Sequence, residues 1–372
     1  MRLRLLVFFV ALLLNACAGA PDQPEPDEAR PEPLLSASGV MHAVVHEAFI
    51  TARTPDENVD SPASWIAADG KVWLFATSKA NGRLLMYDGE SGADLRHVGT
   101  AGEGPGQFLR PNGIFVFNNL LFIVERDNHR VQILSLPELE SLGSFGQSDL
   151  LQPYGLWVRG LTSGEIEVVV TDAYMAGEYS NGDDIAPPLP ELGKRMKRYA
   201  VAVYGDRISA RLVESFGDTS SEGAIRIPES LWGDVANDRL LIAEEDTRTG
   251  TAVREYDLAG KYRGRTIGAD LFKAQAEGIT LWSCSDGSGY WITTDQYLDR
   301  SLFHVFDRQS LQHLGAFAGT TVANTDGIWL HATATARFPN GVFYAVHDDM
   351  AVGAFDWGAI AKALSLRTTC GG

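Results

Sequence analysis

The sequence predicts an all-β chain folded as a six-bladed β-propeller, on three observations. A strand, a polar turn and a second strand recur six times. The anchors of these units, Tyr87, Leu134, Tyr204, Tyr256, Phe306 and Phe355, lie 47, 70, 52, 50 and 49 residues apart. Each unit also carries an earlier pair of short apolar runs, such as "PNGIFVFNNLLFIV" around Asn118 and Asn119, with turn residues between them. Four short strands per roughly 50 residues form a sheet that buries both faces only by stacking on neighbours around an axis. The third observation is the 38 glycines, as a chain with many tight turns requires.

The chain starts outside this pattern. "MRLRLLVFFVALLLNAC" joins two arginines to an apolar run of signal-peptide length. Leu14-Asn15-Ala16-Cys17 also resembles a bacterial lipobox, in which Cys17 is lipidated; an ordinary secretory signal is the alternative. Residues 1–16 are read as the signal peptide and 17–38, rich in Pro, Glu and Asp, as a tether that cannot build a core. Residues 39–372 are read as the propeller. Ala18 after the cysteine, by resemblance to enterobacterial sorting rules, favours the outer membrane. No later stretch is apolar and long enough to span a bilayer.

Within the propeller, "MHAVVHEAFITART" is strand-like and expected to close the ring by adding the outer strand to the last blade. "WGAIAKALSL" at the far end is expected to be a helix. The long interval holds "AYMAGEYSNGDDIAPPLPELGKRMKRY", which is expected to loop out. Cys284 and Cys370 are either a disulfide of an exported protein or two free thiols. His42 and His46 share one face of an alternating strand and are read as packing or surface residues.

The net charge is −17, and loss of Arg2 and Arg4 with the signal takes it to −19. This balance excludes nucleic acid as a partner. The acidic residues recur near the starts of blades: Glu57 and Asp60 in "ENVDSPASW", Glu222 or Glu229 before the fourth blade, Glu277 in "AEGI" and Asp326 in "TDGI". "LLIAEED" ends an apolar run in Glu244, Glu245 and Asp246. Carboxylates converging on a channel repel unless neutralised, and hard oxygen donors suit calcium. A metal is therefore expected to hold the Glu-Glu-Asp end in place. The glycines after Glu277 and Asp326 are expected to let the backbone turn next to a ligand. The chain shows no P-loop, G-x-S-x-G or H-E-x-x-H pattern.

Two resemblances follow. Gly102 to Leu134 resembles an NHL repeat, which propeller enzymes and binding platforms share. "ENVDSPASW", "LFATSKANGRLLMYD", "ANDRLLIAEED" and the block Glu277 to Leu364, with "EGITLW", "GSGYWITTDQ", "NTDGIWL" and "FPNGVFYAVHDD", resemble the β-propeller phytases. These are calcium-dependent phosphatases acting on inositol hexakisphosphate. The resemblance implies that Glu57, Asp60, Glu229, Glu245, Glu277 and Asp326 help hold Ca2+. It implies that Lys79 and an arginine, Arg126 or Arg130, contact phosphate and that Gln296 lines the site. Lys79, Arg126, Glu229 and Gln296 form the implied catalytic group. The implied partner is a phosphorylated small molecule, and the implied form a monomer whose sole membrane contact is the lipid. Ser61, Gln275 and Thr320 stand where the family has aspartates, and its G-K-E motif has no counterpart. The alternatives are a non-catalytic tethered propeller and a lactonase with one deep metal.

Overall fold

The computed structural model describes residues 33–180 and 184–370, so the signal peptide, Cys17 and most of the tether lie outside the described residues. Six four-stranded antiparallel units surround a common axis. Their innermost strands are Val59–Ile66, Pro111–Phe117, Pro153–Gly160, Pro228–Asp234, Ala276–Ser283 and Ile328–His331. Each is followed in sequence by the second and third strands of its blade. Neighbouring innermost strands touch in chain order, and the last returns to the first. The apolar residues of each sheet pack against the blades on either side, which supplies the second face that an isolated unit lacks.

Ring closure follows the expectation: Phe49–Ile50 pairs antiparallel with Ala351–Asp356 as the outer strand of blade 6. Ala43–Val44 adds an unexpected fifth strand, parallel to His313–Ala318 of blade 5. The helix Trp357–Leu364 is capped by the Asp356 carboxylate, which accepts from the Gly358 N–H. The disulfide between Cys284 and Cys370 is formed and pins the C-terminal segment to blade 5. No helix among the described residues is long and apolar enough to cross a membrane.

Two sequence expectations need correction. Residues 33–38 are not tether: Leu35 is buried, and its N–H and that of Ser36 donate to the Asp299 carboxylate of blade 5. In blade 3 the anchor is Tyr199, not Tyr204. The third strand of five blades shifts register at Tyr87, Leu134, Tyr199, Tyr256 and Phe306. Tyr199 is buried, whereas Tyr204 is 59% exposed. The hairpin Met196–Tyr204 and Arg207–Phe216 is longer than its equivalents, which moved the apparent repeat outward.

The seam between blades 6 and 1 sets an acid limit. His331 Nδ1 lies 2.9 Å from Ser64 Oγ across it, and burial lowers the imidazole from 6.5 to about 4. His313, lowered to about 4 by burial and by His304, adds to the same trend. A histidine kept neutral in the fold but protonated once unfolded stabilises the protein fully above pH 6.5. That stability drains as pH falls toward 4, by up to about 3 kcal/mol for His331. Thermal melts should show Tm falling across this window, and His331→Asn should flatten the fall. An equally steep fall in the variant would count against this role.

Candidate functional site

A repeated bulge builds the site. In blades 1 to 5 the innermost strand slips register against the second strand, so that two residues face one: the slip spans Val59/Pro62, Pro153/Leu156, Pro228/Leu231 and Ala276/Ile279, and in blade 2 lies between Ile123 and Glu125. A bulge re-aims side chains at a barrel or blade rim. The bulged positions are Asp60, Asn112, Tyr154, Glu229 and Glu277, and Asp326 stands just before the innermost strand of blade 6. Asp60, Tyr154, Glu229 and Asp326 line one cavity on the axis. Below it, Phe115, Trp232 and Trp329, from alternate blades, meet with ring centroids 5.1–5.5 Å apart and plug the channel.

A second equivalent position supports this ring. The second strands end in Ser78, Glu125, Asp172, Glu244, Asp295 and His347, all buried. Five of them accept N–H groups from the loop that enters their own innermost strand: Leu109 to Glu125, Leu151 and Gln152 to Asp172, Arg226 and Ile227 to Glu244, Lys273 and Ala274 to Asp295, Ala323 to His347. The residues that follow these strand ends are Lys79, Arg126, Ala173, Glu245, Gln296 and Asp348, the next ring at the same end of the channel.

Side chains of the two rings interlock. Lys79 Nζ lies 3.3 Å from Asp60 Oδ2 and 3.5 Å from Asp326 Oδ2, with its side chain 1% exposed. Tyr154 OH donates to Asp60 Oδ2 at 3.2 Å, and Ser61 Oγ to Asp60 Oδ1 at 2.6 Å. Gln296 Nε2 donates to Asp326 Oδ1 at 2.6 Å, and Gln275 Nε2 to Glu245 Oε1 at 3.0 Å. Tyr154 is a site residue that the sequence did not flag; its equivalence to Asp60 and Glu229 emerges only from the bulge.

The structure gives several sequence candidates other work. Glu57 accepts from Arg83, Ser78 and Asn81. Burial acts to raise its carboxyl, but these bonds outweigh burial and hold it below the usual range. Both of its oxygens thus already accept from the chain. In the Glu-Glu-Asp end, Glu244 and Asp246 are held by the chain itself. Glu244 accepts from the N–H groups of Arg226, Ile227 and Asp246, and Asp246 from Arg248 N and Thr249 Oγ1. Burial raises the Glu244 carboxyl against those donors. Arg130 is spent on Glu125 and on the carbonyls of Glu103, Gly104 and Gln107, which leaves Arg126 at the ring position, bonded to Asp127. Glu222 is exposed in a turn outside the bulge, so Glu229 holds the ring position. Gly278 and Gly327 serve blade packing: a Cβ there would lie 2.8 Å from Asp326 O and 2.7 Å from Asp60 O, the next blade's backbone.

The insertion in blade 3 borders this end. Its base is fastened by Arg195, fully buried, which donates to the carbonyls of Asp172, Tyr174, Ile225 and Arg226. Burial lowers that guanidinium to about 10. Between the insertion and blade 4, Tyr179, Pro187, Arg226 and Arg248 help frame a cavity of about 290 Å³.

The oxygen-donor chemistry of Asp60, Glu229, Glu277, Asp326 and Glu245 fits a hard divalent cation. Among the described residues, however, no three His, Cys, Asp or Glu side chains already converge on one point as ligands.

Solved structures share the fold. A calcium-binding protein, regucalcin, from Agrobacterium tumefaciens strain C58 matches with TM-score 0.50 and 11% identity, over 85% of this chain and 97% of that one. A luciferin-regenerating enzyme matches with TM-score 0.51 and 9% identity, over 85% and 96%. At these identities the likeness shows the propeller alone. No protein-family model matches the chain, and no curated protein matches its sequence.

Proposed function

We propose that the channel mouth is the active site of a calcium-dependent phosphomonoesterase of the phytase type, which releases phosphate from inositol hexakisphosphate or a related ester. The observation that carries this reading is the gathering at one end of Asp60, Glu229, Glu277 and Asp326 in one ring, with Lys79, Arg126, Glu245 and Gln296 in the next. A strongly acidic chain repels phosphate unless cations intervene. Asp60, Glu229, Glu277, Asp326 and Glu245 would hold calcium, which when bound supplies a Lewis acid and a water of lowered pKa.

The chain's own groups do the rest. Lys79 and Arg126 bind the phosphoryl oxygens and offset charge as it develops there. Gln296 and Tyr154 fix the Asp326 and Asp60 carboxylates by the hydrogen bonds described. The aromatic plug confines access to the mouth. The cavity beside the insertion gives room for the alcohol part of the ester. No side-chain nucleophile is required. The disulfide is consistent with export, and we place the protein as a monomeric lipoprotein held by Cys17, at the outer membrane.

Phosphate release should be measured on inositol hexakisphosphate and on simple monoesters, with calcium and with chelator. Release that stops on chelation and returns with calcium is expected. Release indifferent to chelator, or none from any ester, removes the phosphatase reading. A non-catalytic binding propeller is the second reading, favoured by Ser61, Gln275 and Thr320 standing where the phytases have aspartates; it predicts no turnover with any ester.

A further inference from the structure

We infer that Lys79 is a built-in counter-ion of the acidic ring, occupying the place between Asp60 and Asp326 that a bridging divalent cation takes on binding. The inference rests on the proposed site and concerns what holds that site together before any metal arrives. Asp60 is buried and Asp326 largely so at the mouth of the channel, where unpaired charge is costly. Every one of their four oxygens already has a donor from the chain. Asp60 Oδ1 accepts from Ser61, and Asp60 Oδ2 meets Tyr154 and Lys79. Asp326 Oδ1 accepts from Gln296, and Asp326 Oδ2 meets Lys79.

Lys79 is suited to leave. Its backbone is fixed, with N–H bonded to Asn58 O at 2.9 Å, while its ammonium is a point charge on a flexible four-carbon stem. A cation entering between Asp60 and Asp326 meets the ammonium there and has to displace it. Once displaced, the same ammonium is free to face a phosphate at the mouth. The ring therefore folds without calcium, and calcium affinity is limited by Lys79.

Calcium binding to the full propeller, measured by titration calorimetry together with thermal melts in chelator and in calcium, tests this without any turnover. Lys79→Met should bind calcium about tenfold or more tightly than the wild type. Its Tm should drop in chelator and recover in calcium. Lys79→Arg keeps the charge and should bind calcium within a few-fold of the wild type. Calcium binding in Lys79→Met no tighter than in the wild type overturns the inference, as does an undiminished Tm in chelator. Tightening in Lys79→Arg as well overturns it too, by making packing the cause. A methionine variant that stays unfolded in calcium also overturns it, because an ion then cannot replace the ammonium. Wild type that binds calcium and releases phosphate, beside a methionine variant that binds no tighter, sinks this inference and leaves the phosphatase reading standing. Calcium bound by neither protein sinks both.

Discussion

Glu244→Ala and Glu245→Ala, one residue apart, should fail in opposite ways. Glu244 ends the second strand of blade 4 fully buried and accepts from the N–H groups of Arg226, Ile227 and Asp246. Alanine orphans three donors, two of them in the loop that delivers Glu229 to the ring. At about 1–3 kcal/mol per unsatisfied buried group, the loss is about 3 kcal/mol or more. Tm should fall by several degrees, and activity should fall only as far as the folded fraction does. Glu245 is the next residue, at the ring position. Its truncation releases Gln275 Nε2 and should move Tm by no more than about 2 °C, yet cut phosphate release roughly 100-fold. Melts and initial rates on both variants decide the matter. A stable Glu244→Ala protein, or a fully active Glu245→Ala protein, would show that the two rings have been assigned the wrong way round.

Glu277→Gln carries the second large effect. The substitution keeps shape and volume at a buried ring position and removes one of the charges proposed to hold calcium. Phosphate release should fall roughly 100-fold or more, equivalent to about 2.7 kcal/mol at 1.36 kcal/mol per decade. Tm in chelator should hold or rise, because one like charge leaves a crowded ring. Rates across a calcium series, beside melts in chelator, separate the two readouts. Undiminished release at all calcium concentrations would remove Glu277 from the site, and a large drop in Tm would make its role structural.

Much of this was legible along the chain. Blade number, ring closure by residues 49–50, the helix Trp357–Leu364 and most of the insertion follow from periodicity and turn chemistry, which act locally. The last residues of that expected loop, 196–199, belong instead to the third strand of blade 3. Carboxylates at blade starts were also legible. Tyr154 was not: a tyrosine before a glycine in "PYGLW" looks like packing, and only the bulge makes it the counterpart of Asp60. The partners of Glu57 and Glu244 were not legible either, because a carboxylate's partners are chosen by the fold: Arg83 for the one, backbone N–H groups for the other. Tyr204 stood in for Tyr199 because a longer hairpin shifts the repeat without shifting the blade.

By itself, the sequence determined the six-bladed ring and the residue types at its mouth, since strand period, turn residues and apolar patterning are local properties repeated six times. Only the tertiary structure decided which acidic groups are structural, which face the axis, and that Lys79 sits between Asp60 and Asp326. Electrostatic roles depend on distances between residues far apart in the chain, from 19 positions to nearly 250 here, and those distances exist only once the ring has closed.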